Sequence, residues 1–402
     1  MLVLNFGLIV FTSNMWGSEG RGLISLLVAD LAIIGIISDL LAGTSLSYYA
    51  SKYKAKTVLP IIYAWSVFTS LCIPAILSFI HAQEYYLYLT GVSIFFGLLS
   101  CNVNFYVGIN NIGKYNVYTA LQPTGIAIGI LCGIFFENVP ELYFIAQIGT
   151  YALLFFISFS HVRNENGGAK DAQIFKLAKK FLNYGWQTQL SYLMQFLNYR
   201  LSYFLLAELH SIGSVGIFSI GVALSEAIWT VSKSISLVLY SDTVNEQHKE
   251  TRIANTKLSV KISLYATLAL SVMLLAIPSC VYSFIFGKDF SDVKTIILFL
   301  LPGIIAIGVS NIIGHYFSAT YQLRILNIKS LLGLVATVAS AALFIPKYGI
   351  VGACITASFS YCVSSAVLFV SFYKKHAFSL TDIAISKNEV LLLRKFLGGR
   401  KR

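Results

Sequence analysis

Apolar residues in this chain gather into runs of about twenty or more, almost free of charge, with polar residues in the short gaps between. The runs occupy approximately 22–50, 57–80, 85–108, 117–136, 142–161, 183–207, 213–239, 258–286, 293–319, 325–344 and 349–373. Each is long enough to cross a hydrocarbon core about 30 Å thick, which takes roughly 20 residues of helix. An isolated span must satisfy its own backbone, so helices are the expected form and the chain reads as an all-α polytopic membrane protein. Before these runs, Met1 to Met15 is apolar but short, about 22 Å of helix at 1.5 Å per residue. It reads as a clipped first span, with a natural start expected upstream. Counting it gives about twelve spans. Pro74, Pro278 and Pro302 fall inside spans, where a kink is the ordinary consequence and a hinge the sharper one.

Charge orients the weave. Of 29 Lys and Arg residues, twenty-three fall on one alternating set of connections: Lys52/Lys54/Lys56, Lys114, Arg163 to Lys180, Lys249 to Lys261, Arg324/Lys329, and the tail from Lys374. The other set holds only Arg21, Lys288, Lys294 and Lys347. That bias is the positive-inside signature and puts the rich connections and both termini in the cytoplasm. With 57% hydrophobic and 11% charged residues, no stretch is polar enough for a separate soluble domain. The net charge of +12 flanks spans, which points to anionic lipids of the inner leaflet and away from nucleic acid. The six cysteines lie in apolar runs without metal-ligand spacing and read as small buried hydrophobes. The beginning lacks a basic stretch and a cleavage site, so no removable signal peptide is expected.

External connections are short (81–84, 138–141, 208–212, 287–292, 346–348), and the largest internal one, 162–182, divides the chain. Its second half puts Ile174, Leu177, Ala178 and Phe181 on one helical face, with Lys170, Lys176, Lys179 and Lys180 mostly elsewhere, as in an interfacial helix on the inner leaflet. The expected organisation is an N-terminal six-helix bundle over 1–165, a linker helix over 166–182, a C-terminal six-helix bundle over 183–375, and a basic cytoplasmic tail over 376–402. Ser386, Glu389 and Gly398 predict a capped helix in the tail. The bundles echo one another: Gly22-Leu-Ile-Ser-Leu-Leu-Val-Ala29 aligns with Gly216-Ile-Phe-Ser-Ile-Gly-Val-Ala223, each opening a span after an external turn. Matching direction makes the repeat parallel, and transporters built this way place their site between halves near mid-membrane.

Two cations lie within spans. Arg200 sits in Phe196-Leu-Asn-Tyr-Arg-Leu-Ser-Tyr-Phe-Leu-Leu206, where a charge costs a few kcal/mol unless it meets a cavity or a partner. It reads either as half of a structural pair with Glu226 or Asp39, or as a ligand for an anionic substrate, since a guanidinium fork suits phosphate oxygens. Glu226 and Lys233 are seven apart on one helix, hence on one face and roughly 10 Å apart. Lys233 reads equally as a second substrate cation and as a side chain snorkelling to the interface. Asp30 and Asp39, nine apart, point to opposite faces and form no dyad; Asp39 is the better cavity candidate, and Asp30, nearer the outer end, reads equally as a cavity residue and as bonded to a neighbouring helix. Gly125, Gly129 and Gly133 make a small-residue face that brings helices close. No glycine-rich phosphate loop, zinc-protease helix or nucleophile elbow is present, so no catalytic residue, metal site or cofactor is expected and ATP hydrolysis by this chain is excluded.

Gly17-Ser-Glu-Gly-Arg-Gly22, the Leu197–Leu206 stretch, Val215 to Trp229, and Ile345-Pro-Lys-Tyr-Gly-Ile-Val-Gly-Ala353 together resemble the bacterial oligosaccharide flippases. These are the exporters of O-antigen and polysaccharide repeat units within the multidrug/oligosaccharidyl-lipid/polysaccharide exporter superfamily. The resemblance extends over nearly the whole chain and is most specific from Arg200 to Trp229. It implies two six-helix bundles around a V-shaped cavity, alternating access, and a cargo of undecaprenyl-diphosphate-linked sugars passing from the cytoplasmic to the periplasmic leaflet. Polysaccharide assembly machinery is an implied partner, and the bacterial inner membrane the implied location. Many members carry an aspartate two residues after the arginine, where this chain has Ser202. The expected substrate-binding residues are Arg200, Lys233, Tyr199 and Tyr203, with Asp39 and Glu226 as candidates for proton or sodium coupling. A multidrug-type cation antiporter is the rival transporter; a membrane polysaccharide polymerase is the rival enzyme, against which the short external connections count.

Overall fold

A computed structural model describes residues 2–79, 85–163, 165, 168 and 174–376. The helices are α1 (Leu2–Ala42), α2 (Thr44–Tyr49), α3 (Ala55–Leu77), α4 (Tyr86–Gly108), α5 (Ile112–Gly133), α6 (Leu142–Arg163), α7 (Ile174–Leu209), α8 (Ile212–Asn245), α9 (Lys249–Ala276), α10 (Ser279–Phe286), α11 (Val293–Ala319) and α12 (Leu323–His376). A single 3₁₀ turn, Lys288–Phe290, precedes α11. Eight helices among the described residues are long and apolar enough to span a membrane, and α5 and α7 join them in the fold. The chain is a multi-pass, all-α membrane protein.

Two of these helices are double. The 54 residues of α12 would run about 80 Å if straight, far beyond the hydrocarbon core. It breaks at Gly349, whose φ of 53° is open to glycine and strained for other residues. Its ends then meet: Lys375 Nζ donates to Gln322 Oε1 beside the start of α12, and Ser360 bonds the carbonyl of Gly333 across the hairpin. Likewise α1 kinks at Gly17 (φ 62°), just after Trp16, whose indole N–H donates to Asn138 Oδ1 at 2.9 Å. With both counted as two arms and the short α2 and α10 set aside, the helices of the described residues make twelve long segments, as the apolar runs predict.

The chain divides into two compact units, 1–196 and 197–402. In the first, the glycine face of α5 meets α6: a Cβ on Gly129 would stand 2.9 Å from Ala146 Cβ, and Gly125 and Gly133 face Thr150 and Leu142. The cation-rich connections gather at one end. Lys114 Nζ lies 2.7 Å from Glu165 Oε1, Gly168 N–H donates to the Ala50 carbonyl, and Lys180 Nζ reaches the Tyr53 hydroxyl. The Trp16–Asn138 bond lies at the opposite end. Helix α7 runs unbroken from 174 into the span, and the Leu177 and Phe181 side chains are buried in protein, Phe181 against Tyr49 at 4.9 Å between centroids. Leu177 and Phe181 therefore pack into the first unit. The expected tail helix, with Ser386, Glu389 and Gly398, lies outside the described residues, as does Lys170.

In the second unit α11 is central, packed against α8, α9 and α12. Hydroxyls tie these helices together: Ser263 Oγ donates to Ser232 Oγ and to the Gly308 carbonyl, the latter at 2.9 Å. Such interhelical bonds contribute about 0.6 kcal/mol each on average. The apolar run 258–286 is not one span. Ile277 before Pro278 is extended (ψ 126°), so α9 stops at Ala276 and α10 restarts after the proline. A residue preceding proline is pushed out of the α region by its Cδ, which accounts for the break. The segment 22–50 is interrupted at Gly43 in the same sense.

The two units share a turn the sequence does not display. Asn110, between α4 and α5, and Tyr321, between α11 and α12, both have positive φ (60° and 57°). Each is followed by the same closure: Asn111 N–H donates to Tyr106 C=O and Gln322 N–H to Phe317 C=O, both at 2.8 Å. This pattern ends a helix by satisfying its last carbonyls.

Candidate functional site

Helix α7 turns Tyr199, Arg200 and Tyr203 toward α8, and α8 answers with Glu226, Trp229 and Lys233 on one face. Arg200 Nη2 donates to Glu226 Oε1 at 2.8 Å and Nη1 to the Tyr203 hydroxyl at 3.0 Å. The guanidinium also stands 5.0 Å from the Tyr203 ring centroid, a cation–π distance. Side-chain exposures of 25% for Arg200 and 33% for Glu226 leave the pair half open. Of the two partners weighed for Arg200, Glu226 is the one beside it. The carboxylate that Ser202 does not offer comes from the next helix; Ser202 itself is buried.

An aromatic wall adjoins the pair. Tyr199, Trp229 and Tyr361 form a triangle with centroids 5.4–5.8 Å apart, and Phe218 packs edge-on against Tyr203. Lys233 is exposed, and its Nζ lies 5.5 Å from the Trp229 ring. No carboxylate pairs with it among the described residues. The two cations therefore differ: Arg200 is paired with Glu226, whereas Lys233 has no carboxylate partner among the described residues.

Behind Arg200, the buried Asn198 fastens α7 to the α12 hairpin. Its Oδ1 accepts from Thr337 Oγ1 and Ser360 Oγ, and Gly333 admits the amide, since a Cβ there would stand 2.7 Å from Nδ2. Asn198 stands inside the quoted motif, but polar residues in a tyrosine-rich helix give no sign of which face is tied down. Lys329 gives no such sign either: its sequence position beside Arg324 reads as a connection charge, yet it lies six residues inside α12 and is half-buried.

The first unit holds the other candidates. Asp39 is half-buried; its backbone carbonyl accepts from Gly43 N–H at 3.0 Å and Gln189 Nε2 at 3.3 Å. Its carboxylate has no hydrogen-bond partner among the described residues. Asp30 is 5% exposed, and its Oδ1 is buried without a partner, so the expected bond from that oxygen to a neighbouring helix is not made. Among the described residues no group of three or more His, Cys, Asp or Glu side chains is placed to hold a metal ion.

No family model matches the chain, and no curated protein matches it in sequence. Solved structures do match its fold. The lipid II flippase MurJ in an inward closed conformation aligns with a TM-score of 0.78 at 16% identity, covering 100% of this chain and 91% of that one. An inward-facing multidrug resistance transporter of the MATE family, in the MOP superfamily, aligns at 0.62 and 15% identity, covering 93% and 94%. The eukaryotic MATE transporter AtDTX14 aligns at 0.60 and 14% identity, covering 98% and 94%. The chain therefore has the all-α fold of these flippases and transporters over nearly its full length.

Proposed function

We propose that the chain is an alternating-access flippase carrying undecaprenyl-diphosphate-linked oligosaccharide from the cytoplasmic to the periplasmic leaflet of a bacterial inner membrane. The observation that carries this reading is Lys233, a cation without a carboxylate partner among the described residues, on an apolar helix two turns along α8 from the half-open Arg200–Glu226 pair. A span retains an uncompensated cation at a cost of a few kcal/mol, which an anionic cargo offsets. Of the fold relatives, a flippase for a lipid-linked precursor aligns at 0.78 and the multidrug transporters at 0.62 and 0.60, in the same direction as the charge. On this reading the diphosphate meets Lys233 and Arg200, the sugars pack along Tyr199, the buried Tyr203 holds the Arg200 guanidinium in place, and the prenyl tail stays in lipid. The cation-rich ends of both units and the two termini face the cytoplasm, against anionic headgroups. Coupling to a proton or sodium gradient would use Asp39, with Glu226 as a second candidate.

The unpartnered Asp39 carboxylate favours a second reading, a multidrug-type cation antiporter. Translocation in proteoliposomes separates the two. Wild-type protein is expected to flip an undecaprenyl-diphosphate glycan, Lys233→Gln and Arg200→Ala to lose most of that rate at matched protein amounts, and Arg200→Lys to recover part of it, because lysine keeps charge without the bidentate fork. Wild-type vesicles that leave the glycan lipid in place while moving an organic cation against a proton or sodium gradient would overturn the proposal.

A further inference from the structure

Helix α8 descends toward the cation-rich end of the second unit, and three side chains around it belong to neither the Arg200–Glu226 pair nor the core. Tyr240, seven residues beyond Lys233, meets His315 of α11 edge-on at 5.9 Å. Gly308, seven residues before His315, sits against Ser232, beside Lys233: a Cβ there would lie 3.2 Å from the Ser232 hydroxyl. Helices α8 and α11 therefore run side by side in register over this stretch, Lys233 level with Gly308 and Tyr240 level with His315. The hairpin joining α11 to α12 turns at Tyr321, so Lys329 returns along α11 to the neighbourhood of His315. It lies within electrostatic reach of both His315 and Lys233.

One turn from His315, on the same face of α11, Asn311 has its Nδ2 buried without an acceptor among the described residues. Two like charges and an imidazole thus converge beside an amide donor that lacks a partner, and no carboxylate pairs with any of them among the described residues. Left alone, such a group is destabilising: like charges repel, and a buried donor without an acceptor loses the hydrogen bond that water gave it. A doubly charged anion with several oxygens would satisfy all of it at once.

We infer that Lys233, Lys329, His315 and Asn311 form a diphosphate-accepting site on the α8–α11–α12 face of the second unit, nearer its cation-rich end than the Arg200–Glu226 pair. The inference rests on the flippase reading and sharpens it. The diphosphate is first taken by two uncompensated lysines, and Arg200, already neutralised, lies further along the same helix pair. A prenyl diphosphate is the intended ligand; free pyrophosphate and anionic headgroups share its chemistry.

The test uses the full-length protein in nanodiscs with farnesyl diphosphate as probe, farnesol as uncharged control, and inorganic pyrophosphate and phosphatidylglycerol as competitors. Lys233→Gln and Lys329→Gln should each weaken farnesyl diphosphate binding about tenfold and the double variant about a hundredfold, one charge-assisted contact being worth about a factor of ten. Lys329→Arg should bind within about threefold of wild type, and Lys294→Gln, a charge change at the opposite end, should bind as wild type. Without ligand, either Lys→Gln change should raise the unfolding temperature, since repulsion is relieved, and should reduce the further rise that farnesyl diphosphate produces. Removing a purely structural lysine would lower the ligand-free unfolding temperature and leave the further rise with farnesyl diphosphate unchanged. Wild-type binding that survives both Lys→Gln changes refutes this site while leaving the flippase reading intact. Binding displaced equally by pyrophosphate or phosphatidylglycerol refutes the prenyl-diphosphate assignment. Wild type that binds no farnesyl diphosphate but takes up tetraphenylphosphonium refutes both.

Discussion

Glu226→Gln removes one charge from the Arg200 pair while keeping a side chain of the same shape that still accepts an N–H. At 2.8 Å the Coulomb attraction is about 6 kcal/mol for an effective dielectric of 20. With a quarter of the arginine side chain and a third of the glutamate exposed, water screens much of that. Fully exposed pairs contribute about 0–1 kcal/mol, and breaking a buried one costs about 3–5. A half-open pair belongs between them, at about 2 kcal/mol. Equilibrium unfolding of purified protein in mild detergent should therefore show Glu226→Gln and Arg200→Gln each destabilised by about 2 kcal/mol. The double variant should be little worse than either, because the second change removes a charge the first has stranded. Farnesyl diphosphate binding should move the opposite way in Glu226→Gln, tightening severalfold as the guanidinium recovers its full charge, while Arg200→Gln should not tighten. Effects that add within about 0.5 kcal/mol would refute the coupling, and unchanged or weaker binding in Glu226→Gln would refute the view that Glu226 competes with the anion.

Other predictions follow from packing and topology. Gly129→Val should destabilise the first unit by about 1–3 kcal/mol, because its Cβ would lie 2.9 Å from Ala146 Cβ and 3.3 Å from Ala146 Cα; thermal stability by fluorescence-detected gel filtration reads this directly. Asn198→Ala removes the acceptor shared by Thr337 and Ser360 and should cost about 1–2 kcal/mol in the same assay. Tyr321→Asn should stabilise by up to about 1 kcal/mol, since asparagine tolerates the left-handed conformation this exposed tyrosine adopts. On a cysteine-free background, Asn138→Cys should react with an impermeant maleimide only from the periplasmic side; labelling only from the cytoplasm would reverse the proposed orientation.

What was legible in the sequence is what the bilayer dictates. Lipid demands long apolar runs and internally satisfied backbones, so the twelve segments, the turns near Gly17 and Gly349 and the glycine face of α5 could all be read from the chain. Helix ends were less legible because helices outlast their lipid contact: α8 continues to Asn245 and α9 begins at Lys249, placing cations on helices where the apolar pattern predicts a loop. The matched turns at Asn110 and Tyr321 were invisible because Tyr321 is not a residue that signals a left-handed cap.

Pairing inside the membrane obeys a different rule. The seven-residue spacing put Glu226 and Lys233 on one face of α8, but which of them meets Arg200 depends on how α7 and α8 are rotated against each other, and no periodicity encodes that rotation. Tertiary anchors set it: the buried Asn198 fixes one face of α7 to the α12 hairpin, which leaves Arg200, two residues on, turned toward α8. Once turned, it meets the Glu226 carboxylate and the Tyr203 hydroxyl within 3.0 Å. Lys233, a further two turns along α8, is out of reach of that carboxylate. Among the described residues, the paired Glu226 and the unpaired Lys233 on a single helix face thus follow from a hydrogen-bonded asparagine on another helix, which is why the residues were visible in the sequence and their division of roles was not.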